Sequence, residues 1–167
     1  MTQFDLSPEP GWETLENLEM FFSVCGSFIN SPPEERRMQV RYFLQHEPEA
    51  VVGKVYFGPK CLGAPGFVHG GCESALMDEI MGIASWAGGY PVVTGEFTTR
   101  FRDRLPLESM AYAEGRVINV KGRKVYTKGQ ILSPEGKVYC EAEGTYIKLR
   151  TDHYERFLAG VHMKDAT

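Results

Sequence analysis

The 167-residue sequence predicts an α+β fold in which one antiparallel sheet wraps around one long central helix. Two observations carry this. Leu76, Ile80, Ile83, Ala84 and Ala87 recur at helical spacing between Gly70 and Ala87, and Gly88-Gly89 with Pro91 end the run. On both sides of it, strand-forming residues alternate roughly apolar with polar, broken by Gly- and Pro-bearing turns.

From the N-terminus, Trp12 to Phe22 reads as a short helix to which no chemistry is assigned. Arg36 to Leu44 and Val51 to Phe57 flank Glu47-Pro48-Glu49 as a hairpin. Gly58 to Gly66, GPKCLGAPG, is too rich in Gly and Pro for regular structure and is an irregular loop into the helix. After the helix come four strands, Val92 to Arg102, Ser109 to Val120, Lys124 to Leu132 and Lys137 to Leu149, with turns at Lys121-Gly122 and Pro134-Glu135-Gly136. The expected organisation is a single domain: an N-terminal extension over 1–34, a core over 35–149 and a tail over 150–167. One helix cannot cover a whole sheet. The uncovered edges and helix face therefore call for a second copy, as a dimer or a dimer of dimers.

Composition narrows the function classes. With 43% hydrophobic and 24% charged residues the chain is an ordinary globular sequence. Eighteen basic and 22 acidic residues leave a net charge of −4, which offers no footprint for nucleic acid and no polybasic patch for a membrane. The run from Met20 to Ile29 is too short to span a bilayer and follows Glu13, Glu16 and Glu19, so a cytoplasmic protein is expected. Cys25, Cys61, Cys72 and Cys140 lack paired spacing and are expected as reduced thiols.

The informative segment is Phe67-Val68-His69-Gly70-Gly71. It opens the helix where backbone N–H groups have no intrahelical partner and the dipole is positive. Glycine there lets a carbonyl oxygen approach the backbone, and one well-aimed donor can contribute about 3 kcal/mol to a transition state. Asp78 falls two turns on, along the stripe Gly71, Ser74, Ala75, Asp78, Met81, Gly82 and Ser85. A carboxylate in a mostly apolar helix is costly unless paired, hydrated or used, and small neighbours leave it room. Glu79 points about 100° away and is the alternative acid.

These motifs resemble the HGG-type hotdog-fold thioesterases, in the phenylacetate-pathway (PaaI) and thioesterase-superfamily-member branch. The likeness runs through GAPGFVHGG, an acid nine residues after the histidine, FRDRLPLES, NVKGRKVY and the closing EAEGTYIKL, from Gly58 to Leu149. It implies a hotdog fold and hydrolysis of acyl-CoA to free acid and CoA at a dimer interface, with no metal and no cofactor beyond the CoA of the substrate. By the same resemblance Gly70, backed by Gly71, polarises the thioester carbonyl and His69 holds that turn. Asp78 is then nucleophile or general base, and Thr94 stands where one branch has a hydroxyl that orients the water or the acid. A related branch carries an Asn before the histidine, whereas this loop reads Cys61-Leu62-Gly63-Ala64 and offers no side-chain amide. CoA phosphates are expected on Arg123 and Lys124, with Lys121, Arg102 and Arg104 as further candidates.

Other chemistries fit less well. Cys72 lies three residues from His69 with no orienting third group. A zinc site on Cys61, His69 and Cys72 lacks paired spacing and a fourth ligand. No GxSxG elbow supports an α/β-hydrolase. A hotdog hydratase or dehydratase and a non-catalytic acyl-CoA-binding module share the fold and stay as alternatives. The HGG turn with Asp78 favours hydrolysis over both.

Overall fold

The computed structural model describes residues 4–15, 28–47 and 49–155. Its elements are β1 (Trp12–Thr14), β2 (Met38–His46), β3 (Glu49–Phe57), α1 (Gly70–Ala87), β4 (Val92–Phe101), β5 (Ser109–Lys121), β6 (Lys124–Leu132) and β7 (Val138–Lys148). Short 3-10 turns at Pro33–Glu35 and Pro59–Cys61 punctuate the connections. The strands form one seven-stranded sheet in the order β1-β2-β3-β5-β6-β7-β4, and every pair is antiparallel. This is the α+β architecture expected from the sequence.

The sheet curls around α1, which packs against β3 to β7. Leu76, Met77, Ile80 and Met81 of the helix are fully buried against Val55, Ala113, Val125, Ile131 and Tyr146. Alternation decides which strand residues take part: on β7, Cys140, Ala142, Gly144 and Tyr146 face the helix, while Glu141 and Glu143 face outward onto Arg102, Arg100 and Lys128.

The sequence reading fails at Trp12. Trp12–Thr14 is not the start of a helix but an edge strand paired with Phe43, Leu44 and Gln45; residues 16–22 of the expected helix, with Cys25 and Pro48, lie outside the described residues. Tertiary packing overrides the helical pattern. Trp12 sits 5.6 Å from the Phe43 ring and edge-on to Tyr112, covering a patch of Phe43, Ala50 and Val52 on the sheet's outer face.

The same segment carries an ion pair. Lys54 is only 5% exposed and its Nζ lies 2.6 Å from Glu9 Oε1, which also accepts from the Tyr112 hydroxyl at 3.1 Å. The hydrogen bond from Lys54, then that from Tyr112, hold the Glu9 carboxyl below its ordinary value of 4.5. A carboxylate lowered on folding stabilises the fold above its unfolded value, and that contribution is lost as pH falls through the folded value. Glu9→Gln should therefore lower the thermal midpoint at pH 7, with the gap to the native chain closing below about pH 4. Melting curves of both proteins across that range check it.

Candidate active site

The site begins at the helix N-terminus. His69 is the N-cap, in extended backbone (φ −70°, ψ 130°), and its Nδ1 accepts the Gly71 N–H at 2.8 Å. Accepting there places the ring hydrogen on Nε2. A Cβ on Gly71 would fall 2.9 Å from that Nδ1, so glycine is what lets the imidazole close on the turn. The N–H groups of Cys72 and Glu73 bond the His69 carbonyl at 2.8 and 3.4 Å. Among the described residues, that leaves the Gly70 N–H without an acceptor, at the positive end of the helix. Gly71, expected to back Gly70, donates its N–H to His69 Nδ1.

Behind this turn Glu73 is 3% exposed, and its Oε2 has no partner among the described residues. Burial, then the nearby Cys72, lift its carboxyl to about 7. Held largely protonated below that pH, it adds little negative charge beside the Gly70 donor.

Two turns along, Asp78 faces β4 and β7. Thr94 Oγ1 donates to Asp78 Oδ1 at 2.8 Å. The Tyr146 hydroxyl lies 2.9 Å from the same Oδ1 and 2.8 Å from the Asp78 carbonyl, so its one hydrogen is shared between them. Burial, then the Asp78 charge, push the Tyr146 phenol well above its usual range and keep it a donor. Both hydroxyls meet Oδ1; among the described residues none reaches Oδ2.

A β-bulge makes this convergence possible. Thr94 pairs with Tyr146, Gly95 is the extra residue, and Glu96 resumes the ladder opposite Thr145. Strict alternation would put Thr94 and Phe97 on opposite faces; the bulge turns both toward the helix, Thr94 to Asp78 and Phe97 to the core.

Tyr146 is the residue that sequence reasoning missed. Its signal lies in EAEGTYIKL, where a large aromatic stands on the inward-facing register of Ala142 and Gly144. If it orients Asp78, Tyr146→Phe should cost about 1.5–3 kcal/mol of a charge-accepting hydrogen bond, a roughly ten- to hundredfold fall in kcat with KM little changed. Separate determination of kcat and KM checks this. A change in KM alone would count against it.

The other expected residues divide. Glu79 is half-buried on a different face of the helix, about 100° round from Asp78, where Oε1 accepts from the Tyr42 hydroxyl at 2.5 Å; burial chiefly raises its carboxyl, and the Asp78 charge adds to the rise. Arg123, at the β5–β6 hairpin tip, donates to the Lys148 carbonyl at 3.0 and 3.3 Å. Lys124 is exposed and pairs with Ile147, one position along from the Val125–Tyr146 pair. Arg123 and Lys124 thus lie near Lys148 at the hairpin end of the sheet; Lys148, two strand residues or roughly 7 Å from Tyr146, holds its ammonium 4.5 Å from the Tyr90 ring. Lys148 was not singled out by the sequence. Lys121 is exposed on the same hairpin, Arg102 is engaged by Glu141 at 2.7 Å, and Arg104 stacks 5.4 Å from the Phe67 ring. Among the described residues no cluster of His, Cys, Asp and Glu could hold a metal ion, and no helix is long and apolar enough to cross a membrane.

A family model for the thioesterase superfamily matches residues 65–140. The chain is 35% identical over 147 residues to the acyl-coenzyme A thioesterase THEM4 of Xenopus laevis; the match takes in 77% of this chain and 65% of that protein, less than two thirds of the relative's length. A crystal structure of a thioesterase superfamily protein superposes with a TM-score of 0.63 at 31% identity, over 66% of this chain and 54% of the other. A hypothetical thioesterase from Streptococcus pneumoniae TIGR4, solved with coenzyme A, shares the fold with a TM-score of 0.58 at 22% identity, over 60% of this chain and 78% of the other.

Proposed function

Since the chain belongs to the thioesterase superfamily with the hotdog fold, we propose that it hydrolyses acyl-CoA thioesters to free acid and CoA, with Asp78 as the working carboxylate. One observation carries the reading: Asp78 is anchored through Oδ1 by Thr94 and Tyr146 while Oδ2 stays open. Two hydroxyl donors on one oxygen fix the direction in which the carboxylate points. Here one oxygen is fixed and the other is presented.

In the proposed reaction Oδ2 takes a proton from water as the water oxygen bonds to the thioester carbon. The carbonyl oxygen gains the charge and accepts the Gly70 N–H. Collapse breaks the C–S bond, and the proton held by Asp78 passes to the departing sulfur. If Oδ2 attacks carbon instead, the thiolate leaves first and water then opens the acyl anhydride. Neither route needs a cofactor beyond the CoA of the substrate.

Gly70 and Asp78 of one chain are eight residues apart, about 12 Å along the helix axis. One thioester carbon cannot meet both within about 3–3.5 Å. We therefore pair the Gly70 of one subunit with the Asp78 of another, in a dimer or dimer of dimers. Exposed Val93 and Phe101 on the edge strand β4 support that assembly, since β4 also carries Thr94 and runs past Gly70. Arg123, Lys124 and Lys148 at the hairpin end of the sheet would then receive CoA phosphates. Free thiols at Cys61, Cys72 and Cys140 suit a cytoplasmic setting.

Product analysis of the full chain with short, long and aryl acyl-CoAs tests the function. Free CoA and free acid in equal amounts are expected. A hydrated acyl-CoA, or acyl-CoA bound and unchanged, would overturn the reading in favour of a hydratase or a binding module.

A further inference from the structure

Apart from the residues assigned to hydrolysis, two thiols line one cavity. Cys61 ends the 3-10 turn before the His-Gly-Gly turn, and Cys72 is the third residue of α1. Both border a space of about 270 Å³ together with Arg37, Lys60, His69 and Gly71. The backbone holds them there: the His69 N–H donates to the Cys61 carbonyl at 2.8 Å, and the Cys72 N–H donates to the His69 carbonyl at 2.8 Å. One residue thus fastens both sides of the pair.

We propose that Cys61 and Cys72 form a dithiol site that reacts with hydrogen peroxide, Cys72 as the attacking sulfur and Cys61 as the resolving one. The roles follow from their surroundings. Cys72 is half-buried at the positive end of α1. The Cys61 thiol on the same cavity, and then the Arg37 charge, bring it down to about 7 against the opposing effect of burial. The Cys72 thiol beside it, with burial, pushes Cys61 upward, so it keeps its proton. Cys140 is buried and pushed up to about 12, chiefly by desolvation, and is inert by comparison. The cavity admits peroxide, a molecule little larger than water.

In the first step the Cys72 thiolate bonds to one peroxide oxygen and the O–O bond breaks. Cys72 becomes a sulfenic acid, and the departing hydroxide takes a proton to become water. Cys61 then gives up its proton and attacks the Cys72 sulfur; the S–O bond breaks and the hydroxide leaves with that proton as a second water. Two thiols are oxidised by two electrons in total, and one peroxide is reduced to two waters. The resulting bond would bracket His69, Gly70 and Gly71.

Peptide mass mapping of the reduced full chain after one equivalent of hydrogen peroxide tests this without reference to hydrolysis. The expected product is a Cys61–Cys72 linked peptide, two hydrogens lighter and restored by dithiothreitol. In Cys61→Ser, Cys72 should accumulate as a sulfenic acid trapped by dimedone; in Cys72→Ser, Cys61 should stay reduced. Oxidation at Cys25 or Cys140 in place of the pair, or a link between two chains, overturns the proposal in the native protein alone, whatever the variants do.

Discussion

Gly115→Ala should destabilise the protein by roughly 3 kcal/mol or more, at the upper end of what overpacked cores show. Gly115 lies on β5 beneath the middle of α1, and a Cβ there would fall 2.7 Å from the Ile80 carbonyl oxygen, 2.9 Å from its carbon and 3.2 Å from the Met81 nitrogen. All three are helix backbone. No rotamer change relieves the clash, so the helix must lift from the sheet across the fully buried Met77, Ile80 and Met81. Gly53, the residue before Lys54 on neighbouring β3, makes the control: its added Cβ would meet the Ile80 Cδ1 at 3.5 Å and the Tyr42 ring at 3.4 Å, ordinary contacts with side chains. Gly53→Ala should change stability by no more than about 1 kcal/mol. Urea unfolding of the two variants beside the native chain distinguishes a backbone contact from a general intolerance of side chains under the helix.

The legible part of this protein was the part whose signal is local. Helical spacing and the Gly88-Gly89 stop give α1 its observed ends, Gly70 and Ala87, and β6 runs from Lys124 to Leu132 as alternation predicts. The remaining expected strands end within two residues of their observed limits. Trp12–Thr14 was misread because its conformation is set by Phe43 and Tyr112, distant in sequence. The candidate site shows the same division. His69, Gly70 and Asp78 are readable because the helix supplies their relative placement. Tyr146, 68 residues from Asp78, reaches it only through the sheet register, and the Gly95 bulge that turns Thr94 inward leaves no mark beyond a glycine in a strand. Glu79 reads as the alternative acid because a helical wheel gives directions but not neighbours; in the fold its Oε1 accepts from Tyr42 on β2.

Asp78→Asn is expected to abolish most of the hydrolysis while leaving the fold and acyl-CoA binding in place. Asparagine matches the shape of aspartate, and its side-chain oxygen can still accept from Thr94 and Tyr146 in the place of Oδ1. What it loses is Oδ2. The amide nitrogen in that place neither takes a proton from water nor attacks a carbonyl carbon, so the whole contribution of the carboxylate is removed, about 10²- to 10⁴-fold for general-base assistance. The Gly70 donor is untouched by the substitution, which is why a residual rate above that of water is expected.

Thiol release from a panel of acyl-CoAs, run side by side on the native chain and on Asp78→Asn at equal protein concentration, tests the central claim most directly. The account predicts turnover of at least one thioester by the native chain and a fall of at least about a hundredfold in the variant, with acyl-CoA still bound. A variant that releases CoA as fast as the native chain would contradict it, because the carboxylate presented by Thr94 and Tyr146 would then have no part in the reaction.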